Sequence, residues 1–140
     1  MREYPADEAS REEVPIQASG DVVKARQTVR VLAQQAGLSL VNQTKLVTAA
    51  SELGRNTLIY GGGGHAHAAV VRDMARVGVW VRFVDAGPGI DDVELALTDG
   101  WTSGSGMGLG LSGARRLVDE FDLVSEPGVG TTVTVLKWAR

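Results

Sequence analysis

The chain contains no cysteine among its 140 residues, and it also lacks a long apolar run and a surplus of basic residues. The absence of cysteine excludes disulfides, thiolate zinc sites and cysteine nucleophiles. No apolar stretch approaches the length of a membrane span, and the charged start has no apolar signal-peptide core, so we expect a cytoplasmic protein without a membrane partner. A net charge of −3 gives no reason to expect nucleic acid as a partner, because proteins that bind a phosphate backbone usually carry a basic surplus.

The remaining composition is that of an ordinary globular domain. Apolar residues make up 44% of the chain and charged residues 22%, and the length is sufficient for one domain with its own core. Residues 1–12 are charged and lack periodicity, which predicts a flexible N-terminal tail. Residues 13–140 are predicted to form a single domain.

Hydrophobic periodicity predicts three helices and five strands. One helix runs from Ser19 or Asp21 to about Gln35, a longer one ends at the glycine run 61–64, and a third runs from Gly108 or Leu111 to Glu120. The predicted strands cover residues 13–18, 66–73, 78–85, 121–126 and 131–138. Because strands occur in adjacent pairs, we expect an α+β fold: a two-layer sandwich with a mixed, mostly antiparallel sheet and three helices on one face.

Glu52 and Asn56 lie four residues apart in a segment whose apolar residues repeat at helical spacing. Such residues share a helix face and are separated by about 6 Å along the axis. A glutamate can accept a proton from an attacking hydroxyl, and an amide oxygen is a suitable ligand for Mg²⁺. Because the two side chains share a helix face, both could reach one phosphate group. Taken alone, the same pair also fits two solvated residues on an exposed helix face.

A second candidate segment, Asp85-Ala-Gly-Pro-Gly-Ile90, ends a predicted strand. A carboxylate at this position can accept a hydrogen bond from an exocyclic amine such as adenine N6. Gly87 and Gly89 would let the backbone lie against a base without an intervening Cβ. Gly-Pro-Gly is equally typical of a plain turn.

Glycines alternate at 104, 106, 108 and 110, directly before a predicted helix. Backbone N–H groups and the helix dipole favour an anion at such a helix entry, although alternating glycines are weak evidence alone. The preceding Asp99-Gly-Trp-Thr-Ser is not an apolar strand, which excludes a dinucleotide fingerprint. No glycine is followed by Lys-Ser or Lys-Thr, and no His-Arg-Asp sequence occurs, which excludes a Walker A loop and the bilobal protein kinases.

In this order and spacing, the three segments resemble the N, G1 and G2 boxes of the GHKL ATP-binding superfamily, whose fold is the Bergerat fold. The wider pattern resembles the RsbT-type serine/threonine kinases, bacterial switch proteins related to anti-sigma factors. It extends over Ser51-Glu-Leu-Gly-Arg-Asn56, Gly108-Leu-Gly-Leu-Ser-Gly-Ala-Arg-Arg-Leu-Val-Asp-Glu-Phe121 and Gly130-Thr-Thr-Val-Thr-Val-Leu-Lys-Trp138. In the first of these, Gly54 replaces the alanine that is commoner in the family, at a helix cost of about 1 kcal/mol.

The resemblance implies ATP and Mg²⁺ as cofactors, Glu52 as the general base and Asn56 as the Mg²⁺ ligand. Asp85 would hold adenine N6, and the glycines before the third helix would line the triphosphate. The implied cofactor-binding residues are Asn56, Asp85, Gly87, Gly89, Gly104, Gly106, Gly108, Leu109, Gly110 and Thr131.

The resemblance also implies a protein kinase that phosphorylates a STAS-domain antagonist in a partner-switching or stressosome pathway. Once released, such a kinase would activate a phosphatase of the PP2C type. Two alternatives remain open: an anti-sigma factor kinase that sequesters a sigma factor and, ranked last, a detached ATPase module that hydrolyses ATP to drive conformational change.

His65 and His67 are two residues apart, so on a strand they would face the same way. Because the chain has only two histidines and no cysteine, we interpret them as ordinary surface residues rather than metal ligands. Arg55 is interpreted as a solvated or salt-bridged side chain.

Overall fold

The computed structural model describes residues 2–98 and 110–139 of the chain. The strands are β1 (Glu12–Ile16), β2 (Gly64–Asp73), β3 (Arg76–Asp85), β4 (Glu120–Glu126) and β5 (Gly130–Trp138). The helices are α1 (Ser19–Ala36), α2 (Leu40–Ile59), α3 (Val93–Ala96) and α4 (Gly110–Arg116). The strand order is β1-β2-β3-β5-β4 and each pairing of these described strands is antiparallel, which confirms the α+β prediction.

The two long helices have the end signals that the sequence predicts. The carboxylate of Asp21 accepts hydrogen bonds from the backbone N–H groups of Gln17 and Ala18, at 2.8 and 3.0 Å, and so caps α1. Gly37 ends that helix in the left-handed conformation, with φ +84°. Ser39 caps α2 by accepting from the N–H of Asn42. Within the described residues, no helix combines the length and apolar character that crossing a bilayer would require.

The core lies between these two helices and one face of the sheet. Leu46 and Leu53 of α2 are fully buried there, together with Val81 and Phe83 of β3 and Val135 of β5. These side chains belong to one continuous apolar cluster, which fixes α2 over the central strands.

Helix α4 is shorter than the sequence predicts, since it ends at Arg116 and not at Glu120. The next residues join the sheet instead: Asp119 donates its N–H to the carbonyl of Leu136 and accepts the N–H of Trp138 at 2.7 Å. Hydrogen bonds to β5 therefore replace the last helical turn, a tertiary effect that local periodicity does not encode.

The N-terminal segment differs from the flexible tail that the sequence predicts, because residues 5–7 pair with β2 and Tyr4 contacts β5 and β4. Ala6 forms a β-bridge with Val71. The Tyr4 ring packs edge-on against Trp138, and its hydroxyl donates to a carboxylate oxygen of Glu120 at 2.7 Å. This hydrogen bond raises the pKa of the Tyr4 hydroxyl above its ordinary value. The anchoring contacts are long-range, so the charged composition gives no sign of them.

Ser10 supplies a test of this docking. Its buried hydroxyl accepts the N–H of Val70 at 2.8 Å and donates to the carbonyl of Asp7 at 2.6 Å. Ser10→Ala would leave the buried N–H of Val70 without its acceptor, so we expect the free energy of unfolding to fall by roughly 1–3 kcal/mol. Urea denaturation measures this change, with the exposed Ser19→Ala as control. Unchanged stability of Ser10→Ala would show that the segment is not docked.

Gly54 supplies a second test, because its position can accept a methyl group. A Cβ there would lie 3.4 Å from Val22 Cγ1 and 3.5 Å from Phe83 Cε2, which is ordinary contact. Gly54→Ala should therefore raise the free energy of unfolding by about 0.5–1 kcal/mol, because alanine is the better helix former.

Gly78→Ala is the matched control for Gly54→Ala. At Gly78 a Cβ would lie 2.7 Å from the carbonyl oxygen of Lys137, so the same substitution should lower the thermal midpoint. A lower midpoint for Gly54→Ala would contradict the packing described for α2.

Candidate functional site

A row of cross-strand partners crosses the sheet at the end of β3. The register pairs Gly64 with Asp85, Asp85 with Thr131, and Thr131 with Ser125. Asp85 Oδ1 accepts the N–H of Gly87 at 2.9 Å and that of Thr131 at 3.3 Å. Among residues 2–98 and 110–139, both donors use the same oxygen, so Oδ2 is available to a donor on a ligand.

Ser125 completes this row, although nothing in the sequence distinguishes it from any other strand serine. Its Oγ lies 2.8 Å from Thr131 Oγ1 and accepts the N–H of Ile90 at 2.7 Å. The serine therefore connects β4 and β5 to the loop that follows Asp85, and it holds the Thr131 hydroxyl in place.

The glycines around Asp85 allow segments of protein backbone to approach one another closely. A Cβ at Gly61 would lie 2.6 Å from Asp85 Oδ2, and one at Gly87 would lie 2.7 Å from the Cα of Gly61. Gly89 has φ +76°, and a Cβ there would collide with the backbone of Glu126. Gly87 and Gly89 are thus required by the protein's own packing, whether or not they also make room for a base, as the sequence predicts. Gly61, which follows α2, lines the cavity and is not among the site residues predicted from the sequence.

Helix α2 carries the predicted acid and amide, four residues apart on one face. Asn56 is half-buried and lines the cavity described below. Glu52 lies one turn earlier and is only 8% exposed. Its Oε1 accepts a hydrogen bond from Arg55 Nη1 at 2.9 Å, so Arg55 is the salt-bridged residue that the sequence analysis expected. Its Oε2 is buried and has no hydrogen-bond partner among the described residues.

A cavity of about 380 Å³ opens between α2, the ends of β3 and β5, and the segment that includes α3. This volume is within the range of small-ligand sites. Its walls are mainly apolar, from Leu53, Thr57, Phe83, Ile90, Leu95, Leu111 and Val133. Polar side chains lie at its margin, namely Asn56, Tyr60, Asp85, Asp91, Asp92 and Thr131. A flat apolar ring with a polar edge fits such a slot, with Asp85 facing the edge.

The structure brings five of the predicted site residues to this cavity: Asn56, Asp85, Gly89, Gly110 and Thr131. Glu52 and Gly87 adjoin it through their neighbours in the chain but are not among its described lining. Gly104, Gly106, Gly108 and Leu109 lie outside the described residues. The sequence analysis did not identify the apolar lining, because apolar residues at helix and strand spacing predict an ordinary core. Leu53 and Phe83 do belong to the core as well.

Comparisons with known proteins agree with this geometry. Residues 41–139 match the family described as histidine kinase-, DNA gyrase B- and HSP90-like ATPase. The chain is 40% identical over 127 residues to the serine/threonine-protein kinase RsbT of Bacillus subtilis (strain 168), covering 91% of this chain and 96% of that protein. It is 32% identical over 122 residues to the anti-sigma F factor of Halalkalibacterium halodurans, covering 81% of each.

Among solved structures, the chain is similar to the crystal structure of the RsbU and RsbW domains of Rv1364c from Mycobacterium tuberculosis, with a TM-score of 0.62. The identity is 19%, and the match covers 91% of this chain and 32% of that one, so it shows the fold alone. The matched family and the two relatives confirm the resemblance drawn from the acid–amide helix and the glycine segments: the chain belongs to the histidine kinase-, DNA gyrase B- and HSP90-like ATPase family.

Proposed function

We propose that the protein is an ATP-dependent serine/threonine protein kinase of the RsbT type, acting in the cytoplasm on a STAS-domain antagonist in a partner-switching or stressosome pathway. After phosphorylating that substrate, it would bind and activate a phosphatase of the PP2C type. The observation that carries the proposal is the 40% identity to RsbT over nearly the whole of both chains. The cavity supports it, because its chemistry suits an adenine nucleotide.

Asp85 would select adenine. Its Oδ1 is held by the N–H groups of Gly87 and Thr131, so the carboxylate is fixed before a ligand arrives. Adenine N6–H would donate to the other oxygen, and Leu53 and Phe83 would contact the ring from the apolar wall. Pre-organisation of this kind reduces the entropy lost on binding.

Asn56 would hold Mg²⁺. Its carboxamide oxygen is a hard ligand at the margin of the cavity, and Mg²⁺ in nucleotide sites takes one or two protein ligands besides waters and phosphate oxygens. The donor chemistry of this residue therefore fits the ion. When bound, Mg²⁺ would neutralise part of the negative charge of the phosphate groups.

Glu52 would act as the general base. When the substrate hydroxyl oxygen attacked the γ-phosphorus, Glu52 Oε2 would accept the hydroxyl proton. The bond between the γ-phosphorus and the β–γ bridging oxygen would break, and ADP would leave. The salt bridge to Arg55 holds Oε1, which leaves Oε2 as the acceptor. A buried carboxylate oxygen with no hydrogen-bond partner among residues 2–98 and 110–139 costs stability, and such a cost is typical of catalytic positions.

A second candidate function is supported by the anti-sigma F factor relative, which is 32% identical. In this alternative the chain would sequester a sigma factor and use its kinase activity to change partners. Both candidates use the same nucleotide cavity, so only the bound protein distinguishes them.

The catalytic assignment is tested by two isosteric substitutions. Glu52→Gln removes the base, so we expect phosphoryl transfer to a STAS-domain protein to fall by roughly 10²- to 10⁴-fold with ATP affinity retained. Asp85→Asn replaces the charged acceptor, and we expect ATP affinity to fall by roughly 10- to 100-fold. Radiolabel transfer and isothermal titration calorimetry measure the two effects.

The exposed Glu3→Gln is the matched control, since it removes one carboxylate that does not line the cavity. Phosphoryl transfer that survives in Glu52→Gln would exclude Glu52 as the base. ATP affinity that is unchanged in Asp85→Asn would remove the adenine assignment.

The partner assignment is tested by affinity capture with the immobilised chain, in the presence and absence of ATP. We expect a STAS-domain protein among the retained proteins, carrying phosphoserine or phosphothreonine when ATP is present. A PP2C-type phosphatase should be retained once that substrate is phosphorylated. Retention of a sigma factor in place of both would support the anti-sigma alternative.

A further inference from the structure

Three potential metal ligands converge at the edge of the sheet, on the face opposite the helices. Glu13 lies on β1, and His65 and His67 lie on β2. One ligand atom from each of these side chains lies within 4.8 Å of the other two. The two imidazole rings are 4.9 Å apart between centroids and nearly perpendicular.

The register of the edge strands produces this convergence. Glu13 is the direct cross-strand partner of His67, and His65 is two residues along β2. Ala66 and Val14 point into the core, so their neighbours His65, His67 and Glu13 point to the outer face. Glu13 is exposed and the histidines are half-buried, so the open side of the cluster faces solvent.

The donor set is that of an imidazole-preferring divalent metal. Two imidazole nitrogens and a carboxylate oxygen are the protein ligands of a common three-ligand Zn²⁺ site, with water in the fourth position. Tetrahedral Zn²⁺ with bonds of about 2.0–2.1 Å holds its ligand atoms roughly 3.3 Å apart. The distances between the ligand atoms must therefore shorten by less than about 2 Å to bind the ion. Rotation about the side-chain χ angles permits this at an edge strand.

Arg82, a cationic residue on the neighbouring strand, makes contacts of its own. Arg82 is the cross-strand partner of His67 on β3. Its guanidinium lies over the Trp80 ring, 4.9 Å from the centroid, and its Nε donates to Thr134 Oγ1 on β5. The hydrogen bond to Thr134 directs the Arg82 guanidinium toward β5. Within the cluster, the carboxylate of Glu13 provides a negative charge that favours a bound cation.

We propose that Glu13, His65 and His67 form a surface binding site for Zn²⁺ or a divalent metal of similar ligand preference. The site is separate from the nucleotide cavity and does not depend on the proposed kinase activity. A metal bound here links edge strand β1 to β2, and so stabilises the fold by binding the native state alone.

The composition of the chain makes the test unusually direct, because these are its only histidines and it has no cysteine. Isothermal titration of the full chain with ZnCl₂, without nucleotide, should give one site per chain. His65→Ala and His67→Ala should each weaken the affinity by roughly tenfold or more, since even residues that only support a ligand cost 10- to 100-fold. Glu13→Gln should weaken it while retaining the side-chain shape.

Glu12→Gln is the matched control, because it removes a neighbouring carboxylate whose side chain projects from the opposite face of the same strand. Its Zn²⁺ affinity should equal that of the unsubstituted chain. Long-range ¹H–¹⁵N spectra of the unsubstituted protein should show ring-nitrogen shifts at both histidines on Zn²⁺ addition, and the thermal midpoint should rise.

Three results would overturn the proposal: no heat of Zn²⁺ binding, ring shifts at only one histidine, or an affinity that Glu13→Gln and Glu12→Gln lower equally. The spectra need no substitution, so they decide the matter even where an alanine variant fails to fold. A variant that loses kinase activity but still binds Zn²⁺, or one that loses Zn²⁺ binding but keeps kinase activity, shows that the metal site and the proposed kinase function are independent.

Discussion

The hydrogen bonds that Asp85 Oδ1 accepts from two backbone N–H groups, those of Gly87 and Thr131, set the geometry of one side of the cavity. They exist because β5 is paired between β3 and β4, which brings Thr131 beside both Asp85 and Ser125. The pairing requires glycine where chains approach most closely: at Gly130 a Cβ would collide with the carbonyl of Asp85. The acceptor is thus fixed by the neighbouring strand, through Thr131, as well as by its own loop, through Gly87.

The opposite wall depends on how α2 is anchored. Leu46 and Leu53 fix one stripe of the helix in the core, and the neighbouring stripe carries Glu52 and Asn56. A buried carboxylate is costly unless both oxygens are paired, and Glu52 has Arg55 for one oxygen only among the described residues. Apolar packing of α2 in the core offsets this cost.

The two curated relatives show why the cavity alone does not define the biological role. A serine/threonine kinase and an anti-sigma factor both align with this chain over most of its length. The shared part is the ATP-binding fold, while partner choice depends on exposed side chains that the sheet and the core do not constrain. The Glu13, His65 and His67 cluster lies on the face opposite the helices, so metal binding there and nucleotide binding draw on different parts of the fold.

The sequence by itself determined the local features: the ends of α1 and α2, the shared face of Glu52 and Asn56, the glycine segments, and through them the family. These follow from periodicity and turn chemistry within a few residues. Tertiary structure alone decided which distant residues meet: Ser125 beside Thr131, Gly61 beside Asp85, Tyr4 against Trp138, and Glu13 beside the two histidines. Strand register and order bring these residues together, and a shift of one residue would turn the strand side chains of Ser125, Glu13 and the histidines to the other face, so no local pattern could predict the contacts.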